Sequence, residues 1–233
     1  MTKQLLLIDG NSIVFRAFFA MHNQMDKFTN KDGLHTAAIY GFKLMLDHVL
    51  QNFKPDTALV AFDAGKVTFR TKMYDDYKGG RNKTPNELTE QIPYVRELIK
   101  DSGLHSYELA NYEADDIIGT LAKQADDAGY KTLIVTGDRD LTQLASENTT
   151  VAVTHKGVTD TEHYTPAHVE EKLGITPRQI IDMKALMGDS SDNYPGVTKI
   201  GEKTAIKLVK QFGSVEELYD HIDDLKKSKM KEH

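Results

Sequence analysis

The sequence predicts an α/β fold, a mostly parallel sheet flanked by helices, followed by a helical C-terminal region. Three observations carry this expectation. Short apolar runs rich in branched residues recur and end on a carboxylate; helical patterns lie between them; and after about residue 165 the strand signals stop and helices follow closely on one another. With 39% apolar content, 233 residues suffice for one α/β core, or for such a core with a small helical appendage.

Taken in order, Leu5-Leu-Leu-Ile-Asp9 reads as a buried strand and 36–53 as a helix. Ala58-Leu-Val-Ala-Phe-Asp63 is the second strand. Helical patterns follow at 89–102 and 113–127, with Gly129 placed to stop the latter, and Thr132-Leu-Ile-Val-Thr-Gly-Asp138 is the third strand. Parallel sheets of this kind bind ligands beyond the carboxyl ends of their strands, where Asp9, Asp63 and Asp138 all fall. Helices are expected at 166–173, 177–187, 202–212 and 215–221, and the charged stretch 226–233 reads as a solvated tail. The division expected is a core over 1–165, including a basic segment at about 66–84, and a helical region over 166–233.

Several function classes are excluded. The absence of cysteine rules out a disulfide framework and a Cys-ligated zinc site, so any metal is held by oxygen or histidine. The first nine residues hold only four consecutive apolar ones, too few for a signal peptide or a membrane span, so a cytoplasmic protein with no membrane partner is expected. A net charge of −6 argues against a polyanionic partner, but the acids are unevenly placed. Nine stand at Asp9, Asp63, Glu113, Asp115, Asp116, Asp138, Asp140, Asp189 and Asp192, and cations bound there would leave the rest of the chain positive.

On a helix, Glu113 and Asp116 share a face, as do Asp189 and Asp192 if their segment is helical. Carboxylates at about 4 Å repel by roughly 4 kcal/mol at an effective dielectric of 20, so a cluster of them calls for cations. Oxygen ligands favour magnesium, manganese or calcium. The plainer alternative is that acids near helix starts merely cap amides and offset the helix dipole. It suits 113–116 well, but it accounts poorly for two apolar strands that each end on an acid. Two hard ions roughly 4 Å apart can place a water and stabilise a leaving oxygen in phosphodiester hydrolysis, a chemistry needing no Ser-His-Asp or cysteine nucleophile. The nine histidines are scattered without ligand spacing.

Residues 66–83 carry six basic side chains, Lys66, Arg70, Lys72, Lys78, Arg81 and Lys83, interleaved with Phe69, Tyr74 and Tyr77. Cations can grip phosphates while aromatic faces stack unpaired bases. Lys78 and Arg81 are the candidates for orienting a scissile phosphate, with Arg70, Lys72, Tyr77 and Lys83 as further DNA contacts and Arg16 as a weaker one. A second element is Gly196-Val-Thr-Lys-Ile-Gly201-Glu-Lys-Thr-Ala205 at a helix start, whose free amides suit a phosphate without reading bases. Its candidate contacts are Gly196, Val197, Lys199, Gly201, Lys203 and Thr204. It is not a P-loop, because Glu202 separates Gly201 from Lys203 and no strand precedes it.

The stretches Leu7-Ile-Asp-Gly-Asn-Ser12 with Arg16, Phe62-Asp63, Tyr77-Lys-Gly-Gly-Arg81, Tyr112-Glu-Ala-Asp-Asp116, Thr136-Gly-Asp-Arg-Asp140 and Met187-Gly-Asp-Ser-Ser-Asp-Asn-Tyr-Pro-Gly-Val197 occur in this order. Together they resemble the 5′-nuclease (flap endonuclease) family, in particular the N-terminal 5′-to-3′ exonuclease domains of bacterial DNA polymerase I. The resemblance implies a PIN-like core, a helical arch at about 66–84 and a helix-hairpin-helix region within 166–233. It implies metal ligands at the nine acids named above, holding two Mg2+ for which Mn2+ can substitute, and K+ on main-chain carbonyls of the hairpin. The implied activity is 5′-to-3′ exonuclease and 5′-flap endonuclease cleavage of flapped, nicked or branched duplex DNA, leaving a 5′-phosphate and a 3′-hydroxyl, in primer removal and DNA repair. A monomer in the bacterial nucleoid is implied, with family domains continuing beyond residue 233 and a polymerase domain in the full-length protein. Two alternatives stay open, a PIN-type ribonuclease using the same acids and a catalytically inactive DNA-binding module. An aspartyl phosphatase is disfavoured because Asn11, not an acid, follows Asp9 by two.

Overall fold

The computed structural model describes residues 2–21, 27–157 and 159–224; the tail expected at 226–233 lies outside them. The chain divides into two compact units, Met1–Thr68 with Lys83–Thr165, and Phe69–Asn82 with Pro166–His233. The basic segment expected within the core is therefore grouped mostly with the helical unit.

The first unit is built on a six-stranded sheet. Its strands are β1 (Gln4–Asp9), β2 (Thr57–Ala61), β3 (His105–Tyr107), β4 (Lys131–Thr136), β5 (Thr149–Lys156) and β6 (Asp160–Tyr164), in the order β3-β2-β1-β4-β5-β6. All neighbours are parallel except β5 and β6. The central strands are covered on both faces, which is why they read as unbroken apolar runs: Leu6, Leu7, Ile8, Ile134 and Val135 are all fully buried. Against them pack α1 (Gly10–Met21) and α2 (Ala37–Phe53), whose Ala17, Phe18, Phe42, Met45 and Leu46 share one apolar cluster with Leu6, Ile8 and Val60.

The helix expected at 89–102 is α5 (Ile92–Asp101), starting three residues later than expected; a separate helical piece, α4 (Asn86–Thr89), comes just before it, and the short α3 (Phe69–Met73) precedes both. Between the pieces lies Gln91, wholly buried, whose side chain accepts the Ala38 amide at 2.8 Å and donates to the Glu87 carbonyl at 2.8 Å. A buried amide needs its partners, and here satisfying them ties α2 to α4. The next helix, α6 (Ala114–Asp127), follows the expectation closely, and Gly129 beyond it has φ +75°.

In the second unit, α7 (Pro166–Leu173) and α8 (Gln179–Met187) precede a two-stranded ribbon of β7 (Gly188–Asp189) and β8 (Tyr194–Pro195). After it come α9 (Glu202–Phe212) and α10 (Val215–Asp220). The ribbon overturns the helical placement considered for Asp189 and Asp192, because antiparallel pairing of β7 with β8 makes 190–193 a turn. Its crossing is close: a Cβ on Gly196 would sit 2.2 Å from the Met187 carbonyl carbon and 2.3 Å from the Gly188 nitrogen, and only glycine fits there. Among the described residues no helix is long and apolar enough to cross a membrane.

Candidate metal centre

Strand order locates the site. From β1 the chain adds strands on one side to give β2 and β3, and on the other side β4 and β5 follow, so the order reverses between β1 and β4, and the carboxyl ends beside such a switch point are the crevice where open parallel sheets bind ligands. Asp9 is the last residue of β1, Asp63 lies just past β2 and Asp138 just past β4. The three aspartates expected at strand ends are brought to this crevice.

Each is held by neutral donors. Asp9 is only 4% exposed; its Oδ1 accepts the Ser12 amide at 3.0 Å and its Oδ2 the Thr136 hydroxyl at 2.8 Å. Asp63 accepts the Asn11 side-chain amide at 3.0 Å and the Ala114 amide, at the start of α6, at 2.8 Å. Asp138 accepts the Asp140 amide at 2.8 Å and so caps the 3-10 turn Arg139–Leu144. Burial pushes the Asp9 carboxyl up to about 6; the Ser12 and Thr136 hydrogen bonds oppose the rise, and the charges of Asp63 and Asp138 add to it.

The remaining acids of this unit stand close by in sequence. Glu113 is buried and precedes α6, its amide donating to Asp116 Oδ2 at 2.9 Å; Asp115 and Asp116 occupy the first turn of α6. Capping explains part of what these residues do, as the plainer reading held. Among the described residues no three acidic or histidine side chains already close around an ion-sized space. The donor chemistry nevertheless fits a hard cation. It is all oxygen, among the described residues no basic side chain is paired to Asp9, Asp63 or Asp138, and it raises a buried carboxyl in the way that an added positive charge would relieve.

The second unit treats its acids differently. Asp189 lies 2.5 Å from the Lys184 ammonium and accepts the Ser191 amide and hydroxyl at 2.7 and 2.6 Å. Burial alone would raise its pKa, but Lys184 and Ser191 outweigh burial and hold the carboxyl well below the usual range. Asp192 pairs with Arg81 at 2.6 Å and accepts the Tyr77 hydroxyl at 3.2 Å, while its carbonyl takes the Lys78 amide at 2.8 Å. Lys78 has φ +57° and lays its ammonium over the Tyr77 ring at 5.1 Å.

Of the other candidates, Arg16 is turned to the carbonyls of His155 and Gly157, which occupies the guanidinium expected to touch phosphate. Arg70 stacks on Phe69 at 4.5 Å, and Lys72 and Lys83 are exposed. In the hairpin, Val197 donates to the Leu186 carbonyl, Lys199 has φ +67°, Gly201 precedes α9, and Lys203 and Thr204 begin it. Sequence reasoning missed the neutral partners Asn11, Ser12 and Thr136 and the counter-ion Lys184. Asn11, Ser12 and Thr136 stand inside motifs quoted for their acids, which was the available signal.

The 5′-3′ exonuclease N-terminal resolvase-like domain model matches residues 4–174, and the 5′-3′ exonuclease C-terminal SAM-fold model matches 175–233. DNA polymerase I of Streptococcus pneumoniae R6 is 60% identical over 231 residues, covering 99% of this chain and 26% of its own length. DNA polymerase I of Bacillus subtilis is 58% identical, with the same coverage. The chain thus spans about a quarter of the curated relatives it matches. A bacteriophage T5 5′-exonuclease solved with zinc superposes with TM-score 0.79 at 23% identity, over 99% of this chain and 83% of that one. The T5 flap endonuclease complexed with DNA and metal ions superposes with TM-score 0.79 at 24% identity and the same coverage.

Proposed function

Because the chain belongs to the 5′-3′ exonuclease family, we propose that it is a structure-specific 5′-nuclease that hydrolyses DNA phosphodiester bonds at a divalent-metal centre, as a 5′-to-3′ exonuclease and a 5′-flap endonuclease. The observation carrying this reading is the gathering of Asp9, Asp63 and Asp138 at the carboxyl ends of adjacent strands, held among the described residues by neutral donors. The T5 relatives solved with metal ions, one with DNA, support it. Asp9, Asp63 and Asp138 hold the metal, with Glu113, Asp115, Asp116 and Asp140 ligating directly or through water. Two Mg2+, replaceable by Mn2+, would supply Lewis acidity that activates a water and offsets charge on the leaving oxygen. Asp189 and Asp192 join as ligands only by exchanging Lys184 and Arg81 for an ion.

Lys78 and Arg81 orient the scissile phosphate, and Arg70, Lys72, Tyr77 and Lys83 grip the strand around it. The 196–204 hairpin follows a duplex backbone through amides and lysines, with K+ on its main-chain carbonyls. A polymerase domain in the full-length protein, with a role in primer removal and repair, belongs to the same proposal; the DNA polymerase I relatives, of which this chain covers 26%, support the first.

A gel assay of the purified chain on a 5′-flap DNA tests the reading. Cleavage with magnesium and none with chelator is expected. Faster cutting of single-stranded RNA than of the flap would overturn the substrate assignment.

A further inference from the structure

Thr136 closes β4 and is wholly buried, yet its hydroxyl is spent entirely on the acid site. It donates to Asp9 Oδ2 at 2.8 Å and accepts the Asp138 amide at 2.9 Å. A backbone N–H can only donate, so the hydroxyl meets it with a lone pair and its one hydrogen is left for Asp9. The chain of bonds therefore runs in one direction, from Asp138 N–H through Thr136 O–H to the Asp9 carboxylate. A hydroxyl that could otherwise rotate has a single orientation. Asn11 grips Asp63 in a comparable two-ended way, donating to its Oδ2 at 3.0 Å and accepting its amide at 3.4 Å. Each carboxylate oxygen so held keeps a second lone pair for another partner.

We propose that Thr136 is a positioning residue of the metal centre, its hydroxyl fixing the Asp9 carboxylate relative to the Asp138 backbone so that the two acids can serve the same ion. The inference rests on the metal-centre reading above. It requires an O–H at this position, not merely a branched side chain of the right size. Valine fills the same space, but it removes one donor from a buried carboxylate and leaves the Asp138 amide without its acceptor. Serine keeps both bonds.

The test is Mn2+ binding to the whole chain without DNA, followed through the paramagnetic resonance of free Mn2+, for the wild type, Thr136→Val and Thr136→Ser. Melting temperatures of the metal-free proteins are taken in parallel. Thr136→Val is expected to bind Mn2+ about tenfold to a hundredfold more weakly, the range for partners that orient metal ligands. Thr136→Ser is expected to return to within a few-fold of wild type even if its melting temperature falls, which a purely structural role would not produce. Undiminished binding in Thr136→Val overturns the proposal, as does a Thr136→Ser variant that binds as weakly as the valine one. Should the valine variant fail to fold, Thr136→Ala takes its place with the same expectation, and wild-type affinity in it overturns the proposal. Absence of Mn2+ binding by the wild type brings down the metal-centre reading itself and this inference with it, an outcome distinct from the others.

Discussion

Two acidic regions that look alike in the sequence are in opposite electrostatic states. In the first unit, Asp9, Asp63 and Asp138 meet amides and a hydroxyl, and the Asp9 carboxyl is pushed up to about 6 by burial, with its acidic neighbours adding to the rise. In the second unit, Asp189 and Asp192 each have a cation at hydrogen-bond distance, and Asp189 is held well below the usual range. A buried carboxylate among like charges can be relieved only by a proton or an added cation. One already beside an ammonium has that relief built in. The first arrangement therefore suits an external ion. The second fastens the basic segment, since Asp192 and the Ser191 carbonyl hold Arg81, and Asn193 holds the Asp76 carbonyl at 2.8 Å.

The largest expected effect separates the two regions directly. Asp63→Asn should lower turnover on a 5′-flap roughly a thousandfold or more, because it takes a charge from the proposed metal centre. Flap binding measured in calcium should stay within a few-fold of wild type. Asp192→Asn, whose carboxylate already neutralises Arg81, should cost at least about ten times less than Asp63→Asn under the same assay. Equal losses would show that the internal ion pair does not set Asp192 apart.

The first region was far more legible in the sequence than the second, and the reason is periodicity. Apolar strands β1, β2 and β4 end beside acids, so the carboxyl-end rule alone put Asp9, Asp63 and Asp138 together. The helix α1 was not read, although Ile13, Val14, Ala17 and Phe18 form its buried face. It begins immediately after β1, and its only start signal is Asp9, which accepts the Ser12 amide at 3.0 Å and which the strand reading had already claimed as the end of β1. Nor were the edge strands: β3 is three exposed residues, and the polar β6 pairs antiparallel to β5 at the margin of the sheet. What no spacing rule could give was which acids have cations of their own. Lys184 stands five residues before Asp189, but Arg81 and Asp192 are 111 residues apart, and only the fold brings that pair together.

A smaller effect should appear in the metal-free protein as a dependence on pH. The folded Asp9 carboxyl keeps its proton up to about pH 6, whereas the ordinary value is 3.8. Between those values the folded chain binds more protons than the unfolded one, so the Asp9 contribution to stability falls as pH rises through the window and stays lost above it. The displacement from 3.8 to about 6 corresponds to about 3 kcal/mol, reduced by whatever the Ser12 and Thr136 bonds lose on substitution. Asp9→Asn should thus be more stable than wild type at pH 7 in chelator, yet gain nothing from added magnesium, which stabilises the wild type by mass action. Asp189 has the opposite sign: its contribution is present above the ordinary carboxylate value and is lost as pH falls below it. Denaturant midpoints across pH 4 to 7 for the wild type and Asp9→Asn check this, and a difference that does not grow with pH would remove the electrostatic contrast.

Removing a counter-ion should hurt the second unit where removing an acid helps the first. Lys184→Met leaves Asp189 partly buried beside Ser191 with no ammonium, at a cost of roughly 2 kcal/mol, less than the 3–5 typical of a fully buried pair. The double variant Lys184→Met with Asp189→Leu should recover most of that, because neither charge remains to be stranded. Urea unfolding of the three proteins decides the matter, and a neutral Lys184→Met would show the pair to be ornamental.

The smallest effect distinguishes the cations of the second unit from one another. Lys184 is committed to an internal acid, whereas Lys203, exposed in the first turn of α9, has no carboxylate partner among the described residues. An uncommitted lysine on the hairpin proposed to bind phosphate would neutralise one phosphate and displace its counter-ion. Lys203→Ala should therefore weaken duplex binding only a few-fold, by a similar factor for every sequence, and should reduce the slope of log affinity against log salt by about 0.9. Lys184→Met, whose charge already belongs to Asp189, should leave that slope unchanged. If the two variants shifted the salt dependence equally, the distinction between structural and DNA-facing cations would fail, since Lys184 would then be giving to phosphate the charge that the fold assigns to Asp189.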